Sequence, residues 1–321
     1  AIQRTLHGGT GSAFRTGPAP GNRALPAWHV LVYAEKSTRV AGVSSGAGGF
    51  APREVFGLSG LVGRLRAAFG GRTEAAGLPE GLRIYAVGDI HGRDDLLAEL
   101  LDRIEQDACG APFDRNILIF LGDYVDRGLQ SKQVLDRLTG AGPAGFERVF
   151  LKGNHEQALL QFLSDAAFGK TWKYYGRLET LHSYGITELT LSDDPADFER
   201  ARERFDAALP HAHRHFLETL QLSAEFGGYF FAHAGVRPGV ALHRQIEEDL
   251  LWIREDFLDS SSRYGKVVVH GHTPREEVVV RPNRIGIDTG AYMTGVLTAL
   301  VLEGEGKRFL QTGDLPLAAA G

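Results

Sequence analysis

Asp89 and His91 stand two residues apart in GDIHGR (88–93), Asp123 follows the first glycine of GDYVDRG (122–128), and Asn154 and His155 lie inside GNHE (153–156). Carboxylate, imidazole and amide oxygen without thiolate suit a hard or borderline divalent ion, Mn, Fe or Zn, with positions left for water and phosphate. Asp89 and His91 can turn toward one ion. Asp123, central between the other two strings, is the candidate bridge to a second ion, which Asn154 can reach. Two ions ~3.5–4 Å apart would lower the pKa of a shared water towards ~7 and clamp phosphoryl oxygens. The implied chemistry is hydrolysis of a phosphoester by direct attack of a metal-bridging hydroxide. Charge on the equatorial oxygens must then be neutralised. The planar guanidinium of Arg127 suits that task, and Arg93 is a weaker candidate. A leaving alkoxide needs a proton, which a histidine can give for a gain of ~10²–10⁴. His155 is the candidate acid, and Asp126, three residues after Asp123, could hold its tautomer. The plainer reading of His155, that it only orients neighbouring groups, stays open.

These residues must be positioned by elements of regular structure. LRIYAV (82–87), NILIFL (116–121) and RVFLK (148–152) are apolar strand-like runs, and each leads directly into one of the three strings. Each string leads into a helix-like segment. In DDLLAELLDRIEQD, Leu96, Leu97, Leu100, Leu101 and Ile104 form one apolar face. Ser131 is a plausible N-cap, and QALLQFL follows GNHE. Strands alternating with helices predict βαβ units and a parallel core. Ligands gather beyond the carboxyl ends of such strands, which is where all three strings fall. Residues 164–226 read as a mostly helical cap without a metal-type string. The runs 229–234, 266–272, 284–290 and 296–303 read as strands of a second, more antiparallel half.

The three strings in this order resemble the signature of the calcineurin-like metallophosphoesterases. GDYVDRG followed by GNHE resembles, more narrowly, the serine/threonine phosphoprotein phosphatases, and the likeness covers about residues 82–305. The resemblance implies an α/β fold, a mixed β-sandwich flanked by helices with a helical cap insertion. It implies that two later histidines complete the second ion. The matching strings are FFAHAG and VHGHT, which assign His233 and His272. His270 remains the alternative to His272, since strand alternation would send both to the same side. LLWIRE resembles a W-x-R string of bacterial members and makes Arg254 a second phosphate-binding guanidinium; a surface ion pair with Glu255 or Asp256 is the other reading. Tyr292 is a candidate lining of the substrate groove, and Asp288 reads as structural support.

The expected function is a serine/threonine protein phosphatase requiring two divalent ions, Mn first and Fe or Zn as alternatives. The other readings are a dinucleoside polyphosphate hydrolase of the diadenosine tetraphosphate type, a small-molecule phosphomonoesterase and, remotely, a non-catalytic binding module. The fourth and fifth strings, HAG and HGHT, lie nearer the compact bacterial and phage enzymes than the eukaryotic ones, which leaves a protein substrate open. Symmetrical diadenosine tetraphosphate hydrolases typically carry Gln where this chain has His91, which argues against that subtype.

The 321 residues, 43% hydrophobic, can bury a sizeable core, and a net charge of −5 argues against a nucleic-acid scaffold. Cys109 is the sole cysteine, so no intrachain disulfide exists, and a reducing, cytoplasmic setting is expected. No run reaches the ~18 apolar residues of a membrane span, and the N-terminus lacks a secretory layout. Residues 1–54, rich in Gly, Ser and Pro, are expected to be a disordered leader or tail. Residues 55–81 are expected to be a short helix and linker, and 306–321 a C-terminal tail. LPHAHRHF, with His211, His213 and His215, reads as a polar helix face, as does His182. Nothing in the sequence indicates an oligomeric state.

Overall fold

Alternating burial along the strands divides the apolar residues between two layers. Ile84 and Ala86 of β1 (Leu82–Val87), Ile117 and Ile119 of β2 (Arg115–Phe120), and Leu300 and Leu302 of β9 (Thr298–Glu303) share one buried cluster with Tyr229 and Phe231 of β5 (Tyr229–Ala232), Val269 of β6 (Val267–His270) and Ile285 of β8 (Arg284–Gly286). The intervening residues Tyr85, Val87, Leu118, Phe120 and Val301 face the other way, into a helical layer. Period-two alternation places successive side chains on opposite faces. Both faces are apolar because both are covered, and so the strands read as continuous hydrophobic runs.

This is a computed structural model, and it describes residues 76–110, 113–187 and 194–313. The expected leader, and the expected helix and linker as far as residue 75, lie outside the described residues. The first sheet has the order β10-β9-β1-β2-β3, with β3 at Phe146–Phe150 and β10 at Gly306–Gln311. β1, β2 and β3 are parallel; β9 and β10 are antiparallel. The second sheet has the order β4-β5-β6-β8-β7, with β4 at Ser223–Phe226 and β7 at Val279–Val280. Ten α-helical segments occur among the described residues: α1 (Asp94–Gly110), α2 (Ser131–Thr139), α3 (Asn154–Ser164), α4 (Gly169–Trp172), α5 (Arg177–Ser183), α6 (Pro195–Ala208), α7 (His211–Glu218), α8 (Glu247–Trp252), α9 (Glu255–Leu258) and α10 (Ala291–Thr294). None of the described helices is long and apolar enough to cross a membrane.

The expected α/β sandwich with flanking helices is the observed one, and three details differ. The second sheet is less antiparallel than expected: β5, β6 and β8 run parallel, and only its edges are antiparallel. The run 296–303 belongs to the first sheet, where Leu302 pairs with Ile84. An apolar run shows that a strand exists, but its sheet is decided by non-local packing. The expected tail begins with a strand instead: Gly306 pairs with Glu303 across a tight turn in which Gly304 has φ +53°, and β10 closes a hairpin with β9. Residues 314–321 lie outside the described residues.

The cap is not a loose cover. Trp172, Leu181, Tyr184, Phe198, Phe205 and Leu217 belong to the same apolar cluster as α1, α2 and α3. His213 is buried there, hydrogen-bonded to Tyr184 Oη (2.8 Å), while His211 and His215 are exposed and stack on each other. Cys109 is exposed near the end of α1.

Ile119 is fully buried between the sheets, so Ile119→Ala should destabilise the fold by about 2–5 kcal/mol. Chemical denaturation should show this. Arg115, on the same strand as Ile119, forms an exposed ion pair with Glu147 of β3 (2.8 Å), and Arg115→Ala should leave the midpoint nearly unchanged.

Candidate metal centre

The loops after β1, β2 and β3 are tied to one another by main chain. Ile90 and His91 donate their N–H groups to Asp123 O (3.1 and 2.8 Å), and Gly92 donates to Tyr124 O (2.9 Å). Glu156 completes the lock. Its carboxylate accepts the N–H groups of Asp123 (2.8 Å), Tyr124 (2.7 Å), Gly153 (2.9 Å) and Val125 (3.3 Å). Five described non-glycine residues have positive φ: His91, Asp123, Asp126, Arg127 and His272. All five belong to the site, so the backbone strain of the fold is concentrated there. Gly153 and Gly271 stand where no side chain fits. A Cβ on Gly153 would lie 2.1 Å from Asp123 Oδ1, and one on Gly271 would lie 2.0 Å from Asp89 Oδ1.

The buried Asp123 carboxylate is the meeting point. On one side Oδ2 lies 3.4 Å from His91 Nε2 and 3.8 Å from His155 Nε2. On the other, Oδ1 lies 3.4 Å from His233 Nε2. Two groups of metal-competent side chains result, His91–Asp123–His155 and Asp123–His233–His272, with the donor atoms of each within 4.8 Å of one another. Asn154 Oδ1 joins the second group, 2.9 Å from His233 Nε2 and 2.8 Å from His272 Nδ1. Asp89 belongs to neither group; its Oδ2 accepts the His272 N–H (3.0 Å).

The donor set fits divalent cations. His233 gives its Nδ1–H to Leu121 O (2.9 Å) and His91 gives its Nδ1–H to Val125 O (2.9 Å). Burial holds both rings neutral; it pushes the pKa of His233 down to about 3 and that of His91 well below the ordinary value. The Nε2 lone pairs therefore face oxygen lone pairs of Asn154 and Asp123, an arrangement that a cation relieves. Asp89 Oδ1 and His272 Nε2 are buried without a hydrogen-bond partner among the described residues. Burial pushes the carboxyls of Asp89 and Asp123 well above their usual range; Asp288 and Asp123 add to this at Asp89, and Glu156 adds to it at Asp123. Positive charge at the centre would reverse that repulsion.

The remaining expected residues fall as follows. His155 Nδ1 donates to Asp126 Oδ2 (2.8 Å). Asp126 is fully buried, with its pKa pushed up to about 7 by burial. It also accepts from Trp172 Nε1 (2.8 Å) and Thr180 Oγ1 (2.6 Å), both from the cap. Arg127 places Nη2 3.4 Å from His155 Nε2, and its guanidinium lies 4.7 Å from the Tyr292 ring centre. Arg254 donates to Thr273 Oγ1 (3.2 Å) rather than to a neighbouring carboxylate, and Asp256 pairs instead with Arg237. Arg93 is bidentate to Asp95 and reaches Ala291 O. Asp288 is buried, accepts the Gly290 N–H (2.9 Å) and has its pKa raised to about 6 by burial. His270 stays outside both groups, packed edge-on against Phe257. β6 ends at His270, and the left-handed turn at His272 (φ +66°) breaks the alternation that made the two histidines look equivalent.

Sequence reasoning missed Glu156, Trp172 and Thr180. Glu156 was visible as the last letter of GNHE; the two cap residues carry no local signal. Glu156→Gln puts an amide donor where four backbone donors converge. It should cost about 1–3 kcal/mol of stability and lower the metal retained after dialysis. An unchanged denaturation midpoint and unchanged metal content would contradict this role.

Residues 82–295 match the family model described as calcineurin-like phosphoesterase. Among curated proteins, the asymmetrical bis(5'-nucleosyl)-tetraphosphatase PrpE of Anoxybacillus flavithermus (strain DSM 21510 / WK1) is 28% identical over 236 residues, covering 67% of this chain and 88% of that one. The symmetrical bis(5'-nucleosyl)-tetraphosphatase of Methylococcus capsulatus (strain ATCC 33009 / NCIMB 11132 / Bath) is 29% identical over 157 residues, 49% of this chain and 44% of that one. Among solved structures, a cold-active protein-tyrosine phosphatase of a psychrophilic Shewanella species aligns with a TM-score of 0.44 at 16% identity, over 74% of this chain and 85% of that one. The family match spans more than half of the sequence and contains both histidine–aspartate groups, and the chain belongs to the calcineurin-like phosphoesterases.

Proposed function

We propose that the chain is a divalent-metal-dependent hydrolase of dinucleoside polyphosphates of the diadenosine tetraphosphate class. The observation that carries this reading is a set of partly exposed aromatic rings around the centre. Tyr175 meets His155 (5.6 Å between ring centres), Tyr292 meets His91 (5.4 Å) and Trp252 meets His272 (6.3 Å). Such rings offer stacking faces for nucleobases; a phosphorylated serine has no base to place there. The likeness to tetraphosphatases along most of a relative's length supports the same class. The expected phosphoprotein substrate now stands second, carried by the GDYVDRG and GNHE strings. Cytoplasmic residence remains our reading, on the single cysteine.

Asp89, His91 and Asp123 would hold one ion, and Asp123, Asn154, His233 and His272 the other, with Mn²⁺ as the first candidate. When bound, the ions supply Lewis acidity and an activated water at neutral pH. Arg127 and Arg254 orient the phosphoryl oxygens and offset their charge. Tyr292, under Arg127, fixes the plane of that guanidinium. His155 is directed by Asp126 with Nε2 toward the reacting group. Burial, then Arg127 and Arg254, holds its pKa well below the ordinary value, and the negative phosphate chain acts in the opposite sense. A phosphoanhydride leaves as a stabilised phosphate, whereas an alkoxide needs the proton of His155.

Kinetics on diadenosine tetraphosphate and on a phosphoserine peptide, both with Mn²⁺, separate the two readings. The expected result is a higher kcat/KM for the dinucleotide, abolished by chelation and restored by Mn²⁺. Product analysis distinguishes asymmetrical cleavage (a triphosphate and a monophosphate) from symmetrical cleavage (two diphosphates). Faster turnover of the peptide would overturn the proposal. A second test uses His155→Asn, which should slow an alkyl phosphate by ~10²–10⁴ and the dinucleotide much less. Equal losses on both would show that His155 is not a leaving-group acid.

A further inference from the structure

Behind the metal centre, the second sheet carries a basic cavity that the chemistry above does not use. On β6 and β8, Val269 and Ile285 point toward the first sheet, so His270 and Arg284 point away from it. There they border a cavity of about 240 Å³ that Arg275 and Arg281 also line. It shares Arg281 and Arg284 with a neighbouring groove of about 530 Å³, to which Arg263 contributes. Arg284 is only 8% exposed. It donates to Leu258 O (2.9 Å) and faces His270 Nε2 (3.4 Å). His270 is neutral, its pKa pushed down to about 4 by burial. Two carboxylates share the cavity wall. Asp259 is exposed, and Asp288 is held by the Gly290 N–H and repels Asp89. Neither makes a direct ion pair with Arg275, Arg281 or Arg284 among the described residues, although Asp259 lies near enough to Arg284 to raise its pKa slightly against the other causes. Burial, then Arg281 and Arg275, depresses the pKa of Arg284, and Tyr264 and Asp259 act in the opposite sense without reversing it.

A buried guanidinium such as that of Arg284 is costly unless a counter-charge reaches it, two exposed arginines at the mouth of the same cavity add positive charge there, and the fork of arginine matches phosphate oxygens. We propose that Arg275, Arg281 and Arg284 form a second anion site, separate from the metal centre, that takes a phosphate-class oxyanion. The site adjoins the centre through one loop. Thr273 lines the cavity and accepts from Arg254 (3.2 Å), and Arg275 N–H is bonded to Asp288 O (3.0 Å), so the stretch that immediately follows His272 is held at Thr273 and at Arg275. The oxyanion has two possible sources: a phosphate of the substrate chain beyond the one being cleaved, or inorganic phosphate from solution. Only the first rests on the dinucleotide reading.

The test is calorimetric titration of inorganic phosphate into the Mn²⁺-loaded full chain, wild type against Arg275→Gln/Arg281→Gln. Both residues are exposed, and an unchanged melting temperature checks that the fold is kept. Arg281→Glu serves as a second variant. The expected result is two phosphates per chain in the wild type and one in either variant, with KM for p-nitrophenyl phosphate unchanged. If the substrate chain is the source, KM for diadenosine tetraphosphate also rises by about tenfold or more. If free phosphate is the source, that KM stays the same while the second phosphate is still lost. Equal stoichiometry and affinity in wild type and variants would overturn the site, whatever the chain hydrolyses.

Discussion

A single buried carboxylate organises this molecule. Asp123 is 2% exposed and stands between two sets of histidines, one oxygen toward each. Asp89, Glu156 and Asp288 are buried around it. So much negative charge in a low-dielectric interior is unfavourable by itself, and neutral imidazoles do not offset it. The loops are therefore shaped to accept cations. His91 and His233 turn their N–H groups outward to main-chain carbonyls and their Nε2 lone pairs inward. The arrangement looks over-acidic only when the ions are left out of the account.

The same constraint explains where the backbone is strained. Three parallel strands deliver three loops to one point, and ordinary turns would leave their side chains pointing apart. Left-handed conformations at His91, Asp123, Asp126, Arg127 and His272 redirect them. Such conformations cost of order 1–3 kcal/mol each and persist only where neighbours over-determine them. Glu156 supplies that for the loop after β2 by collecting four amides. The cap supplies it for Asp126, whose carboxylate is held by Trp172 and Thr180 and whose N–H donates to Thr180 Oγ1 (2.9 Å) and Ser131 Oγ (3.1 Å). The cap thus stiffens the Asp126–His155 pair from behind, and its own packing into the main apolar cluster makes that support rigid.

Much of this was legible in the residues. Strand, string, helix repeated three times places Asp89, His91, Asp123 and Asn154 at the carboxyl ends of parallel strands, because apolar runs and loop motifs are local signals. The choice between His270 and His272 was not local: alternation treats them alike, and a left-handed residue just beyond the strand separates them. Trp172 and Thr180 look like ordinary cap residues until the fold brings them to Asp126. The run 296–303 was recognisable as a strand, yet its partner, β1, lies more than two hundred residues away in sequence. The hairpin that adds β10 was signalled only by a short Gly-Glu-Gly stretch, and a strand with exposed and half-buried residues at a sheet edge carries little apolar pattern.

The central claim is that Asp123 is shared by two ions. Anomalous diffraction from crystals of the Mn²⁺-loaded chain measures this directly. The account predicts two manganese peaks, one on the Asp89–His91 side of the Asp123 carboxylate and one on the Asn154–His233–His272 side. A single peak, or peaks that do not touch Asp123, would contradict it.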